Sequence, residues 1–177
     1  MSEQASPFAK LAAQPTRAAV IDDCVVLVNA QVKSKRGLSG VAIKTGYAAV
    51  KTIKRRFVPE VVDALLDEWM GKVEPYYIKW KSGGTGEFPE YLTARSEDVA
   101  EELLAVTDDR ASTTKHKTAK KWYGKMRPAA KRDVQAAIPE LAALIQKHLA
   151  AAADLPEPAP EAADTAADSA KADEPAA

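Results

Sequence analysis

The sequence predicts an all-α protein, a single bundle of about six or seven helices followed by a disordered acidic C-terminal tail. Three observations support this fold class. Apolar residues recur at helical spacing through most of the chain, only 8 of the 177 residues are glycine, and the composition changes abruptly near Ala152. We therefore divide the chain into a helical domain, residues 1–152, and a tail rich in Ala, Pro, Asp and Glu, residues 153–177.

The first long helix is expected from Thr16 to the residues before Gly37. Its apolar residues follow an i, i+3, i+4, i+7, i+11 pattern, which is typical of one face of a helix. They are Ile21, Cys24, Val25, Val28 and Val32. Gly37 suits the C-cap of this helix, because glycine readily adopts a positive φ. The β-branched run "CVVLV" taken alone is also compatible with a strand.

The next helix is expected to begin with Ser39 as N-cap and to reach about Arg55. A rotation of about 100° per residue separates its apolar side from its basic side. The apolar side holds Ala42, Ile43, Ala49, Val50 and Ile53. The basic side holds Lys44, Tyr47, Lys51, Lys54 and Arg55. A third helix is expected from Pro59, because proline is favoured in a first helical turn. Its buried side is expected to hold Val62, Leu65, Leu66 and Trp69.

The second half of the domain also reads as helix. "KVEPYYIKWK" has helical apolar spacing, "SGGTGE" is a loop, "PEYLTAR" is a short helix, and Ser96 is a suitable N-cap for "EDVAEELLAVTDDR". "TKHKTAKKWYGKMR" is a basic helix, and Pro128 is expected to open the last helical region. Pro139 should kink or split that region, because proline removes a backbone donor.

Charge is strongly segregated although the formal net charge is zero. From Asp154 onward the tail holds seven acids and one lysine, which gives it a charge of about −6 and leaves about +6 on residues 1–153. The tail has too little apolar surface to offset the entropy of ordering it, so we predict that it is disordered. Cys24 is the single cysteine, the N-terminus does not resemble a secretory signal, and no apolar run is long enough to span a membrane. These features predict a cytoplasmic protein.

Several kinds of chemistry find little support. Aligning Lys44 and Thr45 with a Walker A motif places Leu38 and Ile43 where the motif requires glycine. His116 and His148 have no metal-ligand spacing, and Cys24 lies on an apolar helix face, where cysteine is usually a small buried hydrophobe. We therefore predict no catalytic residues, no metal site and no cofactor.

Two basic segments are the main functional signal. Lys33 to Arg56 and Lys115 to Arg132 each hold eight Lys or Arg residues and no acid, while Glu60 to Asp109 is strongly acidic. The candidate residues for binding an anion or a partner are Lys44, Lys51, Lys54, Arg55, Lys117, Lys120, Lys121 and Lys125. A second explanation stays open, in which basic and acidic helices lie side by side and neutralise one another.

The charge layout leads to three functional hypotheses. The first is a non-catalytic interaction protein that uses one or both basic helices, with an acidic protein as partner. The second is a protein that binds nucleic acid or an anionic membrane surface, with the acidic tail competing for the basic faces. The third is a small-ligand binder or enzyme whose pocket is formed by an aromatic cluster. That cluster, for which packed core is the alternative, comprises Trp69, Tyr76, Tyr77, Trp80, Phe88 and Tyr91.

Two stretches also carry a family resemblance. "SKRGLSGVAIKTGYAAVKTIKRRFVP" and "LLAVTDDRASTTKHKTAKKWYGKMRPAAKRDVQAAIPELAALIQKH" resemble an uncharacterised family of small helical bacterial proteins, a domain of unknown function. The resemblance runs from about Thr16 to His148 and leaves out the tail. It implies a bacterial cytosolic protein and assigns no catalytic residue.

Overall fold

Seven α-helices make up the part of the chain that the computed structural model describes, which comprises residues 6–53, 55–113 and 117–153. Within these ranges the side chains at positions 38, 39, 42, 49, 50, 53, 117–122 and 126 are not described. The helices are α1 (Pro7–Ala12), α2 (Thr16–Ser34), α3 (Gly37–Ile53), α4 (Phe57–Lys81), α5 (Phe88–Thr93), α6 (Ser96–Thr113) and α7 (Lys117–Ala153). The all-α class is confirmed. The predicted tail lies outside the described residues.

Helix α7 is the central element of the bundle. It packs against α1, α2, α5 and α6, and α4 packs against α2 and α6 on the other side of the core. The core side chains come from α1, α2 and α4 to α7, and they include Phe8, Leu11, Val20, Leu66, Phe88, Leu92, Val99, Ile138, Ala142 and Ile145. Helix α3 packs against α2 and α4 alone among the described helices, so it lies at the edge of the bundle.

Helix α1 is short but well anchored, and it was not predicted from the sequence. The hydroxyl of Ser6 accepts a hydrogen bond from the backbone N–H of Ala9 at 3.1 Å, and Pro7 occupies the first turn. Phe8 and Leu11, three positions apart, are both buried. Six residues are too few for an amphipathic pattern to be recognised, which is why this helix was missed.

Two helix breaks expected at prolines do not occur in the described part of the chain. Pro128 does not open a new helix and Pro139 does not split one, because α7 runs without a break through both residues. Pro75 likewise lies inside α4, so "KVEPYYIKWK" continues the preceding helix instead of forming its own. Around Pro139 the side chains of Ile138 and Ala142 are completely buried, so packing on the core holds the helix together where one backbone bond is lost.

Two glycines at predicted helix junctions adopt a positive φ. Gly37 has φ +73° at the junction of α2 and α3, and Gly86 has φ +74° just before α5. Helix α3 begins at Gly37, two residues before Ser39, so the expectation that Ser39 is its N-cap is wrong. None of the described helices has the length and apolar composition that crossing a membrane requires.

Candidate functional site: the basic surface of helix α3

Four of the eight predicted binding residues have described side chains, and all four are exposed. They are Lys44, Lys51, Arg55 and Lys125. Lys54 lies outside the described residues. Three more belong to α7, but their side chains are not among those described, namely Lys117, Lys120 and Lys121.

Two of the described basic residues of α7, Arg127 and Lys131, are neutralised within the protein. Arg127 lies 2.8 Å from a carboxylate oxygen of Asp108 and 2.9 Å from one of Glu101. Lys131 lies 3.0 Å from Glu97 and 3.3 Å from Glu101. The three acids belong to α6, so this part of the second basic segment binds the acidic segment of the same chain. The charges of Arg127 and Lys131 are therefore neutralised by acids of the same chain.

The contacts around Arg127 also shift pKa values in the direction expected for stable ion pairs. The hydrogen bond from Arg127 lowers the pKa of Asp108, and a bond from the Tyr123 hydroxyl at 2.7 Å lowers it further. Burial raises the pKa of Tyr123, and its hydrogen bond to Asp108 adds to the effect. Hydrogen bonds from Arg127 and then Lys131 lower the pKa of Glu101. The Tyr123 hydroxyl is therefore bound to Asp108 of the same chain.

Three acids of α4 are paired in the same way with cations from α2 and α6. Arg17 of α2 lies 2.7 Å from Asp63 and 2.8 Å from Asp67. Arg110 of α6 pairs with Glu68. The acidic middle segment therefore neutralises cations at the start of α2, in α6 and in α7.

Helix α3 has a different environment. Lys44 and Lys51 are seven positions apart, two turns of helix, so they project from the same side. Arg55 follows two residues after the end of α3, which stops at Ile53 and not at about Arg55 as expected. Among the described residues, no carboxylate lies within 4.0 Å of any of the three side chains. We define the basic surface of α3 by Lys44, Lys51 and Arg55. Exposed basic residues that also lack an ion pair within the described part flank both its ends, namely Lys33, Arg36 and Arg56.

Contacts with neutral groups orient part of this surface. The Tyr47 hydroxyl donates to the side-chain oxygen of Asn29 at 2.9 Å, and the ammonium of Lys51 reaches the same oxygen at 3.4 Å. Lys51 also lies 5.4 Å from the centre of the Tyr47 ring. These contacts connect α3 to α2, and no described carboxylate neutralises the positive charge of Lys51.

The seam between α2 and α7 holds a polar cluster that the sequence did not reveal. Asp23 accepts hydrogen bonds from Lys147 at 2.6 Å, and the Nε2 atom of buried His148 lies 2.8 Å from the same oxygen. The bond from Lys147 is the main cause that lowers the pKa of Asp23. Lys35 binds Asp133 at 2.7 Å at the other end of the seam. The two members of each pair are 98 or more positions apart in the chain, so sequence spacing could not predict these contacts.

Most of the aromatic cluster is packed core. The ring centres of Tyr77 and Phe88 are 5.2 Å apart, and Trp80 and Phe8 each lie 5.5 Å from Tyr77. Phe8 and Phe88 are buried, and the Trp80 indole N–H donates to the carbonyl of Gly86 at 3.1 Å. The rings thus contact one another and leave little room for a ligand between them.

Tyr76 and Tyr91, the remaining tyrosines of that cluster, line an open groove of about 500 Å³ between α4, α5 and α6. The guanidinium of Arg95 lies 3.6 Å from the centre of the Tyr91 ring, while Asp98 and Glu102 supply opposite charge. The groove carries both signs of charge, so it does not favour one class of ionic ligand.

Trp69 lines a separate apolar cavity of about 220 Å³ between α2, α4, α6 and α7. Cys24 lies in the same cavity wall, and burial raises the pKa of its thiol to about 11. The thiol therefore stays protonated near neutral pH and is a poor nucleophile. Among the described residues, no three His, Cys, Asp or Glu side chains are placed to hold a metal ion.

Comparison with known proteins gives one match. A family model described as "Family of unknown function (DUF6918)" matches residues 8–149, a range that contains α1 to α6 and most of α7. The predicted resemblance to a domain of unknown function is confirmed and extends to Phe8. No curated protein and no solved structure matches the chain.

Proposed function

We propose a function for this chain, which belongs to DUF6918, a family of unknown function. The proposal rests on the distribution of charge in the chain itself. The proposal is a non-catalytic interaction protein of the bacterial cytoplasm that binds an acidic protein partner through the basic surface of α3. A single cysteine with no possible disulfide partner in the chain supports the reducing compartment.

One observation carries the proposal. Arg17, Arg127 and Lys131 are ion-paired to acids of the same chain, whereas Lys44, Lys51 and Arg55 have no carboxylate partner in the part of the chain that the structure describes. Like charges arranged along one side of a helix repel one another and add nothing to folding stability. They attract an anionic surface and increase the rate at which it associates.

A protein partner is favoured because the surface combines positive charge with exposed apolar side chains. Val41, one turn before Lys44, is 63% exposed, and Phe57, directly after the basic run, is 42% exposed. Protein interfaces have an apolar centre and a polar rim, and this surface offers both. Nucleic acid is less favoured, since the whole chain has no net positive charge.

The test compares two triple variants with equal change in net charge. Lys44→Glu/Lys51→Glu/Arg55→Glu reverses the basic surface of α3. Lys10→Glu/Lys79→Glu/Arg132→Glu reverses three cations outside that surface that have no ion pair among the described residues. Partners are captured from the native host with each protein, and the affinity of each captured protein is then measured with purified components at two salt concentrations. Duplex DNA, single-stranded RNA and phosphatidylserine vesicles are measured alongside.

The proposal expects an acidic protein whose affinity falls with salt, falls at least about tenfold in the α3 variant and changes little in the control variant. Equal loss in both variants would show a nonspecific effect of net charge and overturn it. Stronger binding to nucleic acid or vesicles, lost in the α3 variant, would replace the partner class with the alternative one. Removal of residues 154–177 extends the test, because competition by the acidic tail predicts tighter binding without it.

A further inference from the structure

The geometry points to a second site, which is independent of the proposed function. We propose that the cavity between α2, α4, α6 and α7 binds a small uncharged molecule, chiefly hydrocarbon, with one hydrogen-bonding group at its end. The site is lined almost entirely by apolar side chains.

The size and lining of the cavity set the ligand class. Its walls include Val28, Leu66, Leu104 and Leu144, one from each of the four helices. An apolar cavity of about 150 Å³ in a protein core stays dry and binds benzene, so a cavity of about 220 Å³ suits a molecule of roughly ten non-hydrogen atoms. Empty apolar volume forfeits dispersion contacts, and a ligand of matching shape restores them.

The few polar groups in the wall exclude charged ligands and supply one point of contact. Among the described residues, no Lys, Arg, Asp or Glu lines the cavity, so an ion would lose its hydration without gaining a countercharge. Trp69 also lines it, but its indole N–H already donates to the carbonyl of Leu103 at 3.1 Å. The hydroxyl of Thr107 has no hydrogen-bond partner among the described residues, so it is the group that would bind a ligand hydroxyl or carbonyl.

A route into the cavity follows from the burial pattern. Leu27 and Val28 of α2, Trp69 of α4 and Leu144 of α7 line the cavity and are only partly buried, whereas Leu66 and Leu104 are buried. A ligand can therefore reach the cavity past the partly buried side chains.

The experiment uses the full-length protein and two probe series, the alkylbenzenes from benzene to butylbenzene and the 1-alkanols from butanol to octanol. Binding is measured by calorimetry and by the rise in unfolding temperature. Val28→Phe fills the cavity from the α2 wall. Val26→Phe is its matched control, since Val26 is on the same helix and is 66% exposed. Thr107→Val removes the hydroxyl and keeps the shape.

The proposal expects at least one probe to bind with a dissociation constant in the millimolar range or tighter. Binding should be lost in Val28→Phe, kept in Val26→Phe, and shifted about fivefold from alcohol toward hydrocarbon in Thr107→Val. Cys24→Leu fills the cavity from the same wall and replaces Val28→Phe if that variant does not fold. Absence of binding by every probe, or equal binding to the filled variant, would overturn the site.

Discussion

The basic residues of α3 and those of α7 come from two segments that look alike in the sequence but have different surroundings in the structure. Each segment has eight Lys or Arg residues and no acid. Arg127 and Lys131 of α7 lie against α6 and bind its acids, while Lys44 and Lys51 of α3 extend from the edge of the bundle. The sequence of a basic segment thus shows how much positive charge is present. Whether that charge is neutralised depends on the acids of the helix that packs against it.

The pairing of α6 with α7 follows from matching stripes. Glu97, Glu101 and Asp108 are separated by four and seven positions, so they lie on one side of α6. Arg127 and Lys131 are also four positions apart, and the two stripes meet because α6 and α7 pack against each other. Helix α3 packs against α2 and α4 and meets no such stripe within the described residues.

The largest expected difference between the two regions is in packing. Ile138→Ala in α7 should lower the free energy of unfolding by about 3 kcal/mol, because Ile138 is 0% exposed and its truncation leaves a cavity. Val41→Ala in α3 should change it by less than about 0.5 kcal/mol, because Val41 is 63% exposed. Urea denaturation of both variants measures the two values. Equal losses would show that α3 is as deeply anchored in the fold as α7.

The next difference is in the contribution of charged side chains to stability. Arg127→Ala should cost about 2 kcal/mol, because Arg127 is only 20% exposed and its loss leaves Asp108 without a cation and Glu101 with Lys131 alone. Lys51→Ala should cost less than about 0.5 kcal/mol. Arg127→Lys serves as the control and should recover only part of the loss, since an ammonium cannot reproduce the forked contact. A loss in Lys51→Ala as large as that in Arg127→Ala would remove the distinction between the two basic regions.

Much of this fold could be predicted from the sequence, and the errors have physical causes. Helical spacing located α2 and α6 well, and it identified Val62, Leu65 and Leu66 as the buried side of α4. The helix breaks predicted at prolines were wrong, because local propensity favours a break at positions where tertiary packing preserves the helix. Helix α1 was missed because six residues carry no detectable period.

The candidate site could be predicted only in part. The sequence identified Lys44, Lys51 and Arg55 as a basic surface, and the structure places all three in exposed positions. It could not show which cations meet acids of the same chain, because those pairs join residues distant in sequence, such as Arg17 with Asp63 and Lys147 with Asp23. Neutralisation is a property of helix packing, and periodicity reports only which side of a helix a residue occupies.

The acid sensitivity of the two regions should also differ. The pKa of Asp108 is lowered in the folded protein by its bond to Arg127, so this carboxylate stabilises the fold above the ordinary pKa of Asp, about 4. The stabilisation is then lost as the pH falls through the lowered folded pKa. Asp108→Asn should therefore reduce the slope of stability against pH below about pH 4 by less than about one proton. Denaturation at several acidic pH values measures the slope, and Asp98→Asn, which removes an acid without an ion pair among the described residues, should leave it unchanged.

The smallest expected effect on stability is the one that best separates folding from binding. Lys44→Gln should leave the free energy of unfolding unchanged or raise it by up to about 0.5 kcal/mol, because it reduces repulsion along α3 and breaks no ion pair within the described residues. The same change should weaken binding of an acidic partner and reduce the salt dependence of its affinity. Thermal and urea denaturation give the first result, and calorimetry at two salt concentrations gives the second. A substantial loss of stability in Lys44→Gln would mean that the positive charge of α3 stabilises the fold and would contradict its proposed role in binding.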